Sequence, residues 1–154
     1  MNINKKAGMT FIEIIITVAI ISVISAIVFI NLSSFRNQQV LNSTANDIIS
    51  LLNKARQDTL SSINSTNYSV HFDSDKMILF TGSNYSSTDS TNEQIPFDGA
   101  VSIPVSGGLN LGGGNNVTFE RLTGETTGGT ITLQLNSNTS RTKLIIINKT
   151  GIIN

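Results

Sequence analysis

The chain has 154 residues, which is enough for one small domain beside a separate apolar segment. It contains no cysteine, which excludes a disulfide scaffold, a thiolate metal site and a cysteine nucleophile. Ten basic residues balance ten acidic ones, so the net charge does not indicate a nucleic-acid partner or an acidic substrate. The low charged fraction, 13%, and the Ser, Thr, Asn and Gly of the second half favour an extracellular β-rich domain.

The first feature in chain order is an apolar run over residues 9–30, which carries a single charge at Glu13. At ~1.5 Å per residue, residues 14–30 span about 25 Å, enough to cross most of a ~30 Å bilayer core. A carboxylate at membrane depth costs roughly 2.5–3.5 kcal/mol on insertion scales, so such a residue usually marks a function. Glu13 is therefore the first candidate functional residue.

Two ordinary interpretations of this segment leave residues unexplained. A cleaved secretory signal requires a short apolar core and a small-x-small cleavage site. Here the core is long, Glu13 interrupts it, and Ile24 and Val28 stand where small residues are needed. A plain membrane anchor fits the length, but it explains neither Glu13 nor Gly8, which lies five residues earlier.

A third interpretation explains both residues. The segment resembles the class III signal of type IV pilins and type II secretion pseudopilins, reading Lys5-Lys6-Ala7-Gly8-Met9-Thr10-Phe11-Ile12-Glu13. The resemblance implies that prepilin peptidase cleaves between Gly8 and Met9 and that the new N-terminus at Met9 is methylated. It also implies that Glu13 is the assembly residue, which pairs with the N-terminal amine of a neighbouring subunit.

The same resemblance implies the partners and the location of the chain. The expected partners are other pilin or pseudopilin subunits, prepilin peptidase, an inner-membrane assembly platform, and membrane lipid before assembly. Lys5 and Lys6 favour a cytoplasmic leader, so the chain after Ile30 is expected outside the cytoplasm, in a periplasmic or extracellular filament. No cofactor is implied.

Helical spacing continues beyond the apolar run. Apolar residues recur every three or four positions, which predicts an amphipathic helix over residues 31–63; the stripe is Leu41, Ala45, Ile48, Ile49, Leu52, Ala55, Thr59 and Ile63. No proline occurs in residues 9–63, so the simplest prediction is a single helix. Two helices with a break at residues 31–37 are the alternative.

From Tyr68 onward the period changes to two, which predicts strands. They are expected at residues 68–72, 77–80, 93–97, 101–105, 117–122, 130–135 and 143–148, with a flexible glycine-rich connection at residues 107–114. The predicted fold class is α+β and pilin-like: a helix, apolar in its first half and amphipathic in its second, packs on an antiparallel β-sheet domain of about six or seven strands. The predicted divisions are the leader 1–8, the filament-core half-helix 9–30, the amphipathic half 31–63 and the β-rich domain 64–154.

This layout resembles the GspH/FimT branch of minor pseudopilins in Ala55-Arg56 late in the helix, Phe119 and Gly124 after a strand, and Gly151 after the last strand. The resemblance implies a minor pseudopilin, a structural subunit of a type II secretion or type IV pilus filament. The alternative is a minor pilin that binds DNA during uptake. Members that bind DNA carry a basic motif after the terminal glycine, whereas Gly151 is followed by Ile-Ile-Asn, which disfavours this alternative.

The remaining polar residues do not indicate catalysis. His71, the only histidine, is expected to face solvent, because it alternates with Val70 and Phe72. Asp73 and Asp75 are expected to form a turn rather than a calcium site. No set of nucleophile, base and orienting residue is visible, so neither an enzyme nor a metal site is predicted.

One small basic group could contact nucleic-acid phosphates. It consists of Arg141, Lys143 and Lys149 near the C-terminus. Few aromatic residues lie near it, so a solvated surface is the favoured interpretation.

Overall fold

The computed structural model describes residues 9–61, 63–112 and 114–154, without the side chains of residues 28–34 and 63. The predicted leader, including Gly8, lies outside the described residues. Two compact units are distinguished, Met1–Arg36 and Asn37–Asn154.

The principal helix, α1, is Phe11–Leu60, 50 residues long. It is continuous through residues 31–37, so the alternative with a break there is wrong. In the first unit its hydroxyl side chains bond back to the helix backbone: Thr17 donates to the Ile14 carbonyl and Ser22 to the Val18 carbonyl, each at 2.8 Å. Within the described residues, no helix has both the length and the apolarity that a membrane crossing requires.

In the second unit α1 has a buried face that follows the predicted stripe. The fully buried positions are spaced at three, four and seven residues, as one side of a helix requires; they include Leu41, Ala45, Ile48, Leu52, Ala55 and Thr59. The helix ends at Leu60, before the predicted Ile63. A short 3-10 helix follows at Ile63–Ser65, in which Asn64 and Ser65 both have a φ of 54°, in the left-handed region.

The described residues after α1 contain eight strands. They are β1 Tyr68–Phe72, β2 Lys76–Thr81, β3 Glu93–Pro96, β4 Val101–Ser102, β5 Leu109–Leu111, β6 Asn116–Thr118, β7 Gly129–Leu135 and β8 Asn138–Ile147. One four-stranded sheet has the order β3-β2-β1-β6. In the other, β7 pairs with β4 and β5 along one edge and with β8 along the opposite edge. All of these pairings are antiparallel.

The eight strands in two sheets exceed the six or seven strands expected from the sequence. The additional strand is β5, which lies in the segment predicted to be a flexible connection. Leu109 pairs with Ile131, and Leu111 pairs with Gly129. The pairing needs glycine, because a Cβ at Gly129 would collide with the carbonyl oxygen of Asn110. Gly129 of β7 therefore permits this close strand contact.

A single apolar cluster joins the buried face of α1 to both sheets. Its largest fully buried side chains include Phe72, Phe119, Ile131, Leu133 and Ile145. Full burial of side chains of this size stabilises a fold by about 1.5–3 kcal/mol each. This core holds α1 and the two sheets of the second unit together.

Candidate assembly site

The first turn of α1 has the geometry of a helix cap. The carbonyl of Thr10 accepts hydrogen bonds from the backbone N–H of Glu13, at 3.1 Å, and of Ile14, at 3.3 Å. In return the backbone N–H of Thr10 donates to Oε2 of Glu13 at 3.4 Å. Thr-x-x-Glu is the sequence of a capping box, and Glu13 occupies its fourth position. The cap explains locally why the helix begins here.

The cap leaves most of the hydrogen-bonding capacity of Glu13 unused. Its bond to Thr10 is long, and Glu13 is exposed. In the part of the chain that the structure describes, its second carboxylate oxygen accepts no hydrogen bond. The positive end of the helix dipole stabilises a carboxylate at this position by a few tenths to about 1 kcal/mol. Glu13 can therefore accept a further cationic donor.

The surface around Glu13 is apolar on every side of the helix. The exposed large apolar residues of this stretch are Met9, Phe11, Ile12, Ile14, Ile15, Ile16, Val18, Ile20, Ile21, Val23, Ile24 and Ile27. A helix that is apolar all round is stable when lipid or other protein covers it. In such surroundings a carboxylate attracts an ammonium group far more strongly than it does in water.

The predicted processing residues lie at the boundary of the described part of the chain, of which Met9 is the first residue. Gly8 lies outside the described residues. Met9 directly precedes the capping residue Thr10, and 67% of it is exposed. An amine at Met9 would thus lie at the start of the apolar stretch, four residues before Glu13.

A second cluster joins residues that the sequence marked separately. Arg56 donates from Nε to the carbonyl of Gly124, at 3.3 Å, and from a terminal guanidinium nitrogen to the carbonyl of Thr150, at 3.4 Å. Gly124 and Gly151 have φ values of 67° and 76°. A Cβ at Gly151 would collide with the Gly124 carbonyl and would lie 2.6 Å from Nε of Arg56. Arg56 therefore fastens two glycine turns to α1.

His71 does not face solvent as expected. The ring of Tyr85 stacks on it at 3.9 Å with an interplanar angle of 9°, and the His71 side chain is 14% exposed. Its Nδ1 lies 2.6 Å from Oδ1 of Asn116, and its Nε2 lies 3.3 Å from Oδ1 of Asp73. Alternation along β1 could not reveal this cover, because Tyr85 comes from the polar loop after β2. The histidine fastens that loop to the sheet.

The three residues of the predicted basic group lie in β8 and in the segment that follows it. In β8, Lys143 pairs with Leu133, and Arg141 donates to Oε1 of Gln38 at 3.4 Å. Lys149 follows the end of β8, where its side chain lies next to Gly128. Arg141 and Lys143 lie two residues apart in β8, and Lys149 lies six residues farther along the chain. A nucleic-acid contact at these residues stays a prediction.

The described residues also lack a cluster of three or more His, Asp or Glu residues that could hold a metal ion. Asp73 lies at the turn between β1 and β2, where its N–H donates to the Lys76 carbonyl at 3.0 Å. This is the turn role expected for it.

Comparisons with known proteins agree with this arrangement. Residues 44–151 match the family described as Type II transport protein GspH, and residues 3–29 match the prokaryotic N-terminal methylation motif. A similar solved structure is the minor pseudopilin EpsH from the type 2 secretion system of Vibrio cholerae. It has 12% sequence identity and a TM-score of 0.55, over 74% of this chain and 94% of that chain. The search of curated proteins gave no match.

A helix with an apolar first part and a capped glutamate, followed by an amphipathic part on antiparallel sheets, defines the class of type IV pilin-like subunits. The GspH match covers more than half of the chain, so the chain belongs to the GspH family of type II transport proteins. It is a minor pseudopilin, with the family and fold of a structural subunit.

Proposed function

We propose that the chain enters a type II secretion filament through its apolar helix, and that Glu13 sets its position by pairing with the N-terminal amine of a neighbouring subunit. The observation that carries the proposal is the state of Glu13: it is held by a single long hydrogen bond and surrounded by exposed apolar residues. The family implies assembly with other pilin-like subunits. The pairing of Glu13 with an N-terminal amine is the more specific part of the proposal.

The energetic argument favours a charged partner. Placing the carboxylate in an apolar environment costs roughly 2.5–3.5 kcal/mol on insertion scales. The helix dipole returns at most about 1 kcal/mol of that cost. An amine that arrives with a neighbouring subunit supplies the remainder by direct attraction in low dielectric. Misplaced subunits leave the charge unpaired, so the pair selects one register.

Processing supplies that amine. We propose that prepilin peptidase cleaves between Gly8 and Met9 and that Met9 is then methylated, which keeps the nitrogen basic. Cleavage removes the leader 1–8 and with it the positive charges of Lys5 and Lys6. Mass spectrometry of the mature chain should find an N-terminal methylated Met9. An intact chain that still starts at Met1 in the filament fraction would contradict this step.

Before assembly we propose a membrane-inserted form. Its leader lies in the cytoplasm, the half-helix 9–30 in the bilayer, and residues 31–63 and 64–154 outside the cytoplasm. The support is the apolar composition of residues 14–30 and the two lysines that precede it. An inner-membrane assembly platform then moves the subunit from lipid into the filament.

The function is tested by following where the chain goes in a secreting cell. Glu13→Gln keeps the size of the side chain and removes its charge. This variant should reach the membrane fraction at normal levels, and its share in sheared filaments should fall at least tenfold, since the pair is worth more than about 1.4 kcal/mol. Asp58→Asn, which removes one carboxylate elsewhere on α1, serves as the charge control for membrane insertion. Normal filament incorporation of Glu13→Gln would refute the role of Glu13.

A further inference from the structure

Strand β8 forms an edge of its sheet that is only partly covered. On one side it pairs with β7, in regular register over residues 142–147. On the other side it pairs with the C-terminal segment of the chain. There the N–H of Ile146 donates to the Asn154 carbonyl, and the Ile146 carbonyl accepts from the Asn154 N–H, both at 2.9 Å. The N–H of Asn148 donates to the Ile152 carbonyl at 2.8 Å. One end of this edge therefore accepts a short strand from the chain itself.

The rest of the edge is open. In an antiparallel strand, the N–H and C=O of every second residue point to the same side. Those of Ile146 point away from β7, so those of Leu144 and Thr142 do the same. The partner strand agrees with this register, because the N–H of Thr132, opposite Leu144, donates to Gly108 at 2.7 Å and not to β8. Within the described residues, β8 pairs only with β7 and the C-terminal segment, so the N–H and C=O of Thr142 and Leu144 can bond to a further strand.

The open edge borders an exposed apolar face of the sheet. Leu144 and Ile146 lie two residues apart and therefore on the same face, where they are 51% and 43% exposed. Ile152 is 54% exposed and shares this face, because it lies two residues from Asn154, the partner of Ile146. An added strand that carries apolar side chains on this side would cover these residues.

The other face of the edge is basic. Lys143 is exposed there, and in the part of the chain that the structure describes it forms no ion pair. Arg141, two residues earlier, donates only to the neutral side chain of Gln38, at 3.4 Å. Carboxylates on an added strand would lie opposite Lys143 and attract it. The same charge disfavours the pairing of two β8 edges, because such a pair would bring like charges close together.

Two features of the edge restrict which strand can pair with it. The register shifts between Gln134 and Leu135 of β7, which pair with Thr142 and Asn138, so residues 139–141 bulge out of the ladder. Bulges and lysines are means by which proteins prevent unspecific pairing at a sheet edge. A strand that pairs here must therefore be short and must carry the opposite charge.

We propose that β8 binds an extended segment of a different pilin-like subunit, which adds as a strand beside Thr142 and Leu144. The side chains of this segment alternate, apolar on the side of Leu144 and acidic on the side of Lys143. Backbone hydrogen bonds supply the affinity of such a contact, and the alternate side chains supply its specificity. The inference rests on the proposed filament role, and it names the surface that one neighbour uses.

The contact can be trapped in the full chain in a secreting cell. The photo-reactive residue p-benzoylphenylalanine replaces Leu144, on the apolar side of the edge. Irradiation of the filaments should link it to a different pilin-like subunit, and mass spectrometry should place the link in a segment with alternating acidic and apolar residues. The control carries the same group at Asn110, which is exposed on β5, on the opposite side of β7. The control should not give this link.

Two variants at one position distinguish backbone pairing from proximity. Thr142→Pro removes an N–H that points away from β7, so it leaves the bonds to β7 in place. It should lower the linked fraction about tenfold, because a carbonyl of the partner loses its donor. Thr142→Ala keeps the N–H and should leave the linked fraction unchanged. Lys143→Glu should lower the linked fraction as well, whereas Lys143→Arg should not.

The amount of chain in the filament fraction is measured first, and the linked fraction is expressed relative to it. The proposal is overturned by a link at position 144 no stronger than at Asn110, by a link only to a second copy of this chain or to a protein that is not pilin-like, or by equal effects of Thr142→Pro and Thr142→Ala. Each of these results leaves the proposed filament function standing. If the chain with its native β8 is absent from the filament fraction, the proposed function fails, and this inference fails with it.

Discussion

At the scale of single residues, Glu13 combines a helix cap with the proposed assembly role in one side chain. The cap explains why a helix starts at Phe11, and it holds the carboxylate at the dipole end that stabilises it. The motif around Gly8 and Glu13 could be read from the sequence, because the basic leader, the glycine, the position of the glutamate and the apolar run all occur together. The hydrogen bond from Thr10 to Glu13 could not be predicted, because it depends on the backbone geometry.

Gly151 provides the sharpest residue-scale prediction. Gly151→Ala should destabilise the fold by more than Gly107→Ala, although the two glycines have similar φ values, 76° and 74°. An alanine in that left-handed conformation costs about 1–2 kcal/mol. At Gly151 the new Cβ also collides with Gly124 and Arg56, whereas nothing lies within 4 Å at Gly107. Urea unfolding of both variants measures the difference, and equal losses would contradict the proposed fastening by Arg56.

At the scale of elements, the helix was the most predictable part. Its stripe of buried positions follows from a period that the sequence displays directly, and only the end differs, at Leu60 instead of the predicted Ile63. Strand β5 was missed because glycines flank it in the sequence, and its pairing depends on Gly129 of the distant strand β7. His71 was misplaced for the same reason, since Tyr85 covers it from a loop.

The loop that carries Tyr85 also contains the clearest pH-sensitive group. Thr91 donates to Oδ1 of Asp89 from its N–H, at 2.9 Å, and from its hydroxyl, at 2.8 Å. These bonds favour the ionised carboxyl, and they lower the pKa of Asp89 below its ordinary value. Because its pKa is lowered, ionised Asp89 stabilises the loop at pH values above the ordinary Asp pKa of about 4. This stabilisation is lost as the pH falls through the lowered pKa.

We therefore expect hydrogen exchange in residues 83–92 to accelerate, relative to β7, as the pH falls below about 4. Rates are compared after correction for intrinsic exchange at each pH. Asp89→Asn should remove this dependence, because its side chain does not ionise. If the variant retained the full pH dependence, another group would have to control the loop.

At the scale of the whole molecule, the family and the architecture agree with what the sequence pattern indicates. Most strands could be placed from alternation, but their division into two sheets could not, because the partners of β7 are far apart in the chain. The fastening of α1 by Arg56 to Gly124 and Gly151 gives a physical reason for three residues that resemblance alone had marked. The proposed assembly site and the core are thus separate features of one structural subunit.

The pairing of Glu13 with a neighbour's amine is the central claim, and zero-length carbodiimide cross-linking of native filaments tests it most directly. The reagent joins a carboxylate to an amine only where the two are in contact. Lys54 and Glu93, whose side chains lie 2.7 Å apart, provide an internal positive control. We predict a peptide in which Glu13 is linked to the N-terminal residue of another subunit. Recovery of the Lys54–Glu93 product with Glu13 unlinked, in filaments that contain the chain, would contradict the account.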